Sequence, residues 1–282
     1  MKKLIALTMA LLLVLGLFAG CSNTGNNNAS TNGTDADTTA GTEGDTTGAA
    51  AVTTLVEGKP IMSTNAAFPP YEMTDDDGNY IGIDVEIADA IAKKLGLELQ
   101  IDNMGFTAAL EAAQQGKSDI VMAGVTVNED RLAVMDFSDS YATGVQVVIV
   151  PEDSDIATID DLEGKQIGTQ MGTTGYIYAS DTPENGGYGE DNVIPYDNGI
   201  TAVQALKNGQ IDAVIIDNGP AQEFVKANTG LKILETEWLT ENYAIGFQKG
   251  NTQLVDAVNA VLKDLIADGT VQTIVDKYIT AE

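Results

Sequence analysis

The sequence predicts an α/β protein built as two similar lobes facing each other across a cleft. Three observations predict it. From Leu55 onward, short apolar runs alternate with amphipathic stretches in the order β-α-β-α-β, which gives a parallel core sheet. The stretch "IDVEIADAIAKKLG" places Ile83, Ile87, Ile91 and Leu95 on one helical face and stops at Gly96. Finally, "LEAAQQGKSDIVMAG" and "VQALKNGQIDAVIID" align without a gap: Gly116 meets Gly209, Asp119 meets Asp212, and Gly124 meets Asp217. Ligands of open α/β sheets sit at the carboxyl ends of strands. Gly124 and Asp217 are therefore expected at equivalent strand ends, one on each wall of the cleft.

The N-terminus comes first in chain order. Lys2 and Lys3 precede an apolar run from Leu4 to Ala19, too short for a comfortable membrane span and suited to a secretory signal peptide over 1–20. It ends in Phe18-Ala19-Gly20-Cys21, which resembles a bacterial lipobox and makes Cys21 the expected lipidated residue. Residues 21–54 are Ser, Thr, Asn, Gly, Ala and Asp with almost nothing to bury, the composition of a disordered linker.

The body follows. "PIMST" is read as a strand, then the helix through Leu95, "LELQID" as a strand, "FTAALEAAQQG" as a helix and "SDIVMAG" as a strand. "DDDGNY" has its glycine misplaced for a calcium loop, so Asp77-Gly78 is read as a hairpin turn. "VQVVIV" opens a second set, with strands at "QIGTQ", "NVIPYD", "IDAVIID" and "LKILE". Helices between them fall at "TTGYIYAS", "ITAVQALKNG" and "PAQEFVKANTG"; "NYAIGFQ" and two helical runs close the chain. The expected division is lobe 1 over 55–143, lobe 2 over 144–241, and a return to lobe 1 over 242–282.

Composition narrows the function. With 42 Asp and Glu against 14 Lys and Arg, the net charge is −28, which disfavours nucleic acid and anionic membrane surfaces. There is no histidine, which excludes Ser-His-Asp and Cys-His catalysis and histidine-ligated metals. The single cysteine excludes an intrachain disulfide. Neither a metal nor a cofactor is expected. No Walker-type glycine pattern occurs, so any ATPase belongs to a separate chain. One feature stands out: Arg131 is the only arginine.

Two motifs carry a resemblance. "GIDVEIADAIAKKL", Gly82 to Leu95, is similar to the signature of the extracellular solute-binding proteins of family 3, the amino-acid receptors of ABC importers. "AGVTVNEDR" followed by "MDFSDSY" resembles that family's ligand loop. The resemblance spans about Leu55 to Ile279. It implies a type II periplasmic-binding-protein-like fold, two α/β lobes joined by two hinge strands that close on a ligand. It also implies a free amino acid as ligand, an ABC permease with its ATPase as partners, and a lipid-anchored monomer at the outer face of a bacterial membrane.

Arg131 then has a use. A guanidinium matches the planar α-carboxylate with two parallel hydrogen bonds, which lysine cannot do. By resemblance, Thr126, Thr173 and Thr174 join Arg131 on the carboxylate, the last two where the backbone N–H groups of a helix start suit an anion. The resemblance gives the α-ammonium to Asp217 and the Gly124 carbonyl. Phe68 matches the family's aromatic against the ligand. Asn65, Ala123, Gln170 and Asn103 are further pocket candidates. Asn65 stands where basic-amino-acid binders often carry Asp, so neutral polar amino acids come first and arginine or lysine second. Some proteins of this fold are cyclohexadienyl dehydratases. That chemistry needs an acid in the cleft, and the candidates, Glu72 and Asp217, have structural or ammonium-binding readings. A sensory module would continue into a membrane span and signalling domain, whereas this sequence ends at Glu282. A non-enzymatic importer component is expected.

Overall fold

In the computed structural model, residues 52–235 and 237–279 are described. The expected signal peptide, Cys21 and the linker up to Ala51 lie outside them. In chain order the elements are β1 (Ile61–Thr64), β2 (Met73–Thr74), β3 (Tyr80–Ile81), α1 (Ile83–Lys94), β4 (Gln100–Asn103), α2 (Phe106–Gln114) and β5 (Ile120–Val121). Then come α3 (Glu129–Val134), β6 (Met135–Pro151), β7 (Ile167–Gln170), α4 (Thr174–Ser180), β8 (Val193–Tyr196) and α5 (Gly199–Lys207). The chain finishes with β9 (Ala213–Asp217), α6 (Asn218–Ala227), β10 (Leu231–Ile233), β11 (Leu239–Gln248), α7 (Thr252–Ala267) and α8 (Thr270–Tyr278).

The main sheet runs β4-β1-β5-β11-β6-β9-β7-β8, with β10 also on β6. It is parallel at both ends and antiparallel in the middle. On one flank β1 lies parallel to β4 and β5; on the other β7 lies parallel to β8 and β9. The long strands β6 and β11 pair antiparallel from Met135–Gln248 to Gln146–Leu239, with register shifts around Ala244. They join the two flanks, as two lobes sharing paired strands require. The expected boundaries at 143/144 and 241/242 fall inside these strands. Ala142 and Tyr243 pack with the first flank's core, Val145 and Val147 with the second's.

Each flank buries both faces of its strands. In the first, α1, α7 and α8 set Ile87, Ile91, Leu254, Val258 and Leu262 against one face, and α2 sets Phe106 and Leu110 on the other. In the second, Val147 and Ile149 of β6 enter one core while Val148 and Val150 enter the opposite one. That is the period-two alternation of a strand, and burial on both sides explains the unbroken apolar run.

The sequence echo has a structural cause. Asp119 accepts the Ile61 N–H at 2.7 Å, and Asp212 accepts the Gln166 N–H at 2.8 Å. Each aspartate ties the start of its own strand to that of its parallel neighbour, and Gly116 and Gly209 make the same left-handed stop before it (φ 65° and 67°). The Asp77-Gly78 turn closes the β2–β3 hairpin as expected, with the Asp75 side chain accepting from Asp77 and Asn79 N–H. Among the described residues no helix is long and apolar enough to cross a membrane.

Candidate functional site

A cavity lies where the two flanks meet the paired long strands. Its first-flank wall carries Asn65, Phe68, Glu72, Phe106, Ala123, Gly124, Thr126 and Arg131; the second contributes Gln170, Thr173 and Thr174; the long strands add Gln146, Glu241 and Tyr243.

Arg131 is fixed by local chemistry. Asn128 caps α3 by accepting the Arg131 N–H, which sets the start of the helix. The guanidinium turns inward, 7% exposed, with Nη1 donating to the Thr126 carbonyl (2.8 Å) and Nη2 to the Gly172 carbonyl of the opposite flank (3.3 Å). It lies 5.5 Å from the Phe106 ring centre. Among the described residues no carboxylate stands within ion-pair distance of it. Burial works against its charge and the Glu241 carboxylate works for it.

Thr126 is held by a single antiparallel bridge to Tyr243, which sets its hydroxyl beside β11. It donates to Glu241 Oε2 at 3.0 Å and faces the Thr174 hydroxyl at 3.5 Å. Gln146 Nε2 donates to the same Glu241 oxygen at 3.0 Å, while Oε1 has no partner among the described residues. Thr173 caps α4, accepting the Tyr176 N–H and donating to the Gln170 carbonyl. Asn65 donates to the Met104 carbonyl and accepts from Gln170 Nε2 at 3.0 Å, a side-chain bond from flank to flank.

Gly124 closes the floor. Its N–H donates to Asp84 Oδ2 at 2.9 Å, and its φ is +55°. A Cβ there would sit 2.8 Å from Phe68 Cε1. Phe68 stacks on Tyr71 (5.8 Å, 26°), which meets Tyr243 edge-on (5.3 Å, 78°). Gly124→Ala is therefore expected to cost about 1–2 kcal/mol through the left-handed backbone alone, with the Phe68 clash added. Thermal denaturation measures it, and an unchanged midpoint contradicts it.

Two of the expected residues lie outside the cavity's lining. Asp217 does not line the cavity: its carboxylate accepts the Gly219 N–H (3.0 Å), capping α6, and the Val145 N–H (2.8 Å) of β6. The cap is what a strand end that begins a helix needs, and the same carboxylate neighbours the Tyr243 hydroxyl, a residue of the cavity wall. Asn103 is exposed at the sheet's edge strand, where it accepts the Ala66 N–H. It holds the loop that carries Asn65 and Phe68 without touching the cavity. The carboxyl groups that line the cavity are Glu72, considered above only as a catalytic acid, and Glu241; Glu241, Gln146, Phe106 and Tyr243 were unforeseen.

Three buried acids share one direction of shift. Burial, then the Asp84 charge, pushes Glu72 well above the usual carboxylate range; burial raises Asp84 to about 6 and Asp217 to about 6. The folded chain thus holds protons that the unfolded chain releases near pH 4. Their contribution is fully present below that pH and lost as pH rises through about 6 and beyond. The melting temperature is expected to fall between about pH 5 and pH 8; a rise across that window contradicts this.

Two α/β lobes sharing a pair of long strands, with a cavity and a lone buried cation at their junction, are the construction of an extracytoplasmic solute-binding protein. The chain belongs to the bacterial extracellular solute-binding proteins, family 3, whose pattern matches residues 61–281. The arginine-binding extracellular protein ArtP of Bacillus subtilis (strain 168) is 33% identical over 228 residues, covering 79% of this chain and 87% of ArtP. The L-cystine-binding protein TcyJ of Escherichia coli (strain K12) is 30% identical over 228 residues, covering 80% and 84%. Among solved structures, the arginine-, lysine-, histidine-binding protein ArtJ from Geobacillus stearothermophilus superposes with a TM-score of 0.74 at 32% identity, covering 79% of this chain and 96% of that one. These relatives are named as binding proteins.

Proposed function

We propose that the chain is the amino-acid-binding component of an ABC importer and works by capture and delivery, without catalysis. The observation that carries this reading is Arg131: a buried guanidinium on a cavity wall, with no carboxylate in ion-pair reach among the described residues. Burying an unpaired charge is costly, and a carboxylate ligand relieves it. In this reading the ligand's α-carboxylate sits on Arg131 with Thr126, Thr173 and Thr174 around it. Its ammonium faces Glu241 Oε1, with the Gly124 carbonyl and the Phe68 ring beside it.

The side chain is assigned to cationic amino acids first, which reverses the order drawn from Asn65. The Asn65 amide is engaged by Met104 and Gln170, so its lack of charge does not decide. A second carboxyl, Glu72, is among the lining residues; ArtP is named for arginine, and ArtJ for arginine, lysine and histidine. A ligand touching both lobes favours the closed form by its differential affinity. That closed form would dock on the permease served by a separate ATPase, with the protein a monomer held outside the membrane through Cys21. A thermal-shift screen against the standard amino acids and cystine tests the class. Binding stabilises by RT ln(1 + [L]/Kd), so a ligand at about 100 Kd adds about 2.7 kcal/mol. A shift with arginine or lysine is expected, and no shift with any amino acid overturns the reading.

A further inference from the structure

Arg131 sits in a helix too short to hold itself. α3 spans six residues, Glu129–Val134. Fixing a single turn costs more conformational freedom than its few hydrogen bonds return, and the last turn of any helix leaves carbonyls without an intrahelical donor. The start of α3 is pinned by the Asn128 side chain. Its end is pinned by a residue 117 positions further along the chain than Leu132. Lys249 Nζ donates to the Leu132 carbonyl at 2.8 Å and to the Met135 carbonyl at 3.2 Å. The first belongs to the last turn of α3 and the second to its C-cap residue, whose own N–H is taken by the Arg131 carbonyl.

The neighbouring chain aims Lys249 at this point. β11 ends at Gln248, which pairs with Met135, the first residue of β6. Gln248–Asn251 then make a tight turn, closed by the Asn251 N–H on the Gln248 carbonyl (3.1 Å) with Gly250 at φ +86°. Asp136 of β6 holds the two middle residues of that turn: its Oδ1 stands 2.9 Å from Lys249 Nζ, and its Oδ2 accepts the Gly250 N–H at 2.6 Å. The Lys249 side chain is half-exposed, so the ion pair with Asp136 contributes little by itself. The two carbonyl bonds are different in kind. They bring a positive charge and two donors to the negative end of a helix that has no lysine of its own. We propose that Lys249 is a positioning residue for Arg131: it clamps the end of α3, so that the guanidinium carried by the same helix meets the ligand carboxylate in register. The proposal rests on the amino-acid reading given above.

Titration calorimetry of the full chain with its tightest-binding amino acid, and with the amine formed by removing that ligand's carboxyl group, tests it. Lys249→Met is expected to lose about tenfold in affinity for the amino acid, the scale of one hydrogen bond from a charged donor. For the amine, which offers Arg131 no carboxylate, the same variant is expected to stay within about twofold of the wild type. In the Arg131→Ala background Lys249→Met is expected to cost nothing further, because the two residues act through one contact. Lys249→Arg keeps the charge and the donors and is expected to recover most of the loss. An unchanged affinity in Lys249→Met, a loss shared equally by both ligands, a loss that persists without Arg131, or no recovery in Lys249→Arg overturns the proposal and leaves the amino-acid reading intact. No binding of any amino acid by the wild type overturns both. Should Lys249→Met fail to fold, Lys249→Gln, which is neutral but still polar, carries the same comparison.

Discussion

Arg131→Ala is expected to lose at least about a hundredfold in amino-acid affinity, because removing one partner of a buried charge pair costs about 3–5 kcal/mol. The guanidinium meets several needs at once. It spans the Thr126 carbonyl of its own flank and the Gly172 carbonyl of the other, and still has N–H groups to offer a carboxylate. Lysine has the charge but not the fork, and its compact ammonium is more strongly hydrated than a guanidinium. Arg131→Lys is therefore expected to recover less than about a tenth of the lost affinity. Titration calorimetry on both variants checks this, with circular dichroism confirming that each is folded. Near-native affinity in either contradicts the assignment.

The second large effect is expected at Glu241. Its Oε2 is held by Thr126 and Gln146, and its Oε1 is the unpartnered buried acceptor on the same wall as Arg131. Glu241→Gln removes the charge, keeps the volume, and places an amide donor against groups that are themselves donors. A loss of about a hundredfold in affinity is expected, since the ligand ammonium is then desolvated without a counter-charge. The same change also removes the carboxylate that favours a charged Arg131. Affinity within about threefold of the wild type, well under 1 kcal/mol, would return the ammonium role to Asp217.

What the sequence made legible follows its local signals. The helix through Ile83, Ile87 and Ile91 has a full apolar stripe, with Asp84 and Glu86 in its first turn and Lys93 and Lys94 in its last, so pattern and macrodipole agree. The Gly-then-Asp echo was readable because the same loop chemistry was needed twice. The paired long strands were not. β6 starts at Met135, directly after a six-residue helix, and its first half, "MDFSDSYATG", is only partly buried. Only the later run, "VQVVIV", is apolar enough to read as a strand.

The binding residues split in the same way. Arg131, Thr126, Gly124, Thr173 and Thr174 sit in compact motifs at strand ends and helix starts, and all reach the cavity. Glu241 was missed because the strand was read from Asn242. Extended to Leu239, the strand's alternation puts Glu241 on the inward phase with Tyr243, and an acid on an inward phase is a signal in itself. Asp217 ends its strand as the echo predicts, but the echo does not fix the direction of a carboxylate that also has a helix to cap. Asn103 ends an edge strand and bonds outward, which its neighbours in sequence do not reveal.

The central claim is that this site reads an amino acid by its α-carboxylate, through Arg131. The most direct test is a paired calorimetric titration of the tightest-binding amino acid and of the amine formed by removing its carboxyl group. The account predicts one-to-one binding of the amino acid and a loss of at least about a hundredfold for the amine. Equal affinities would contradict it.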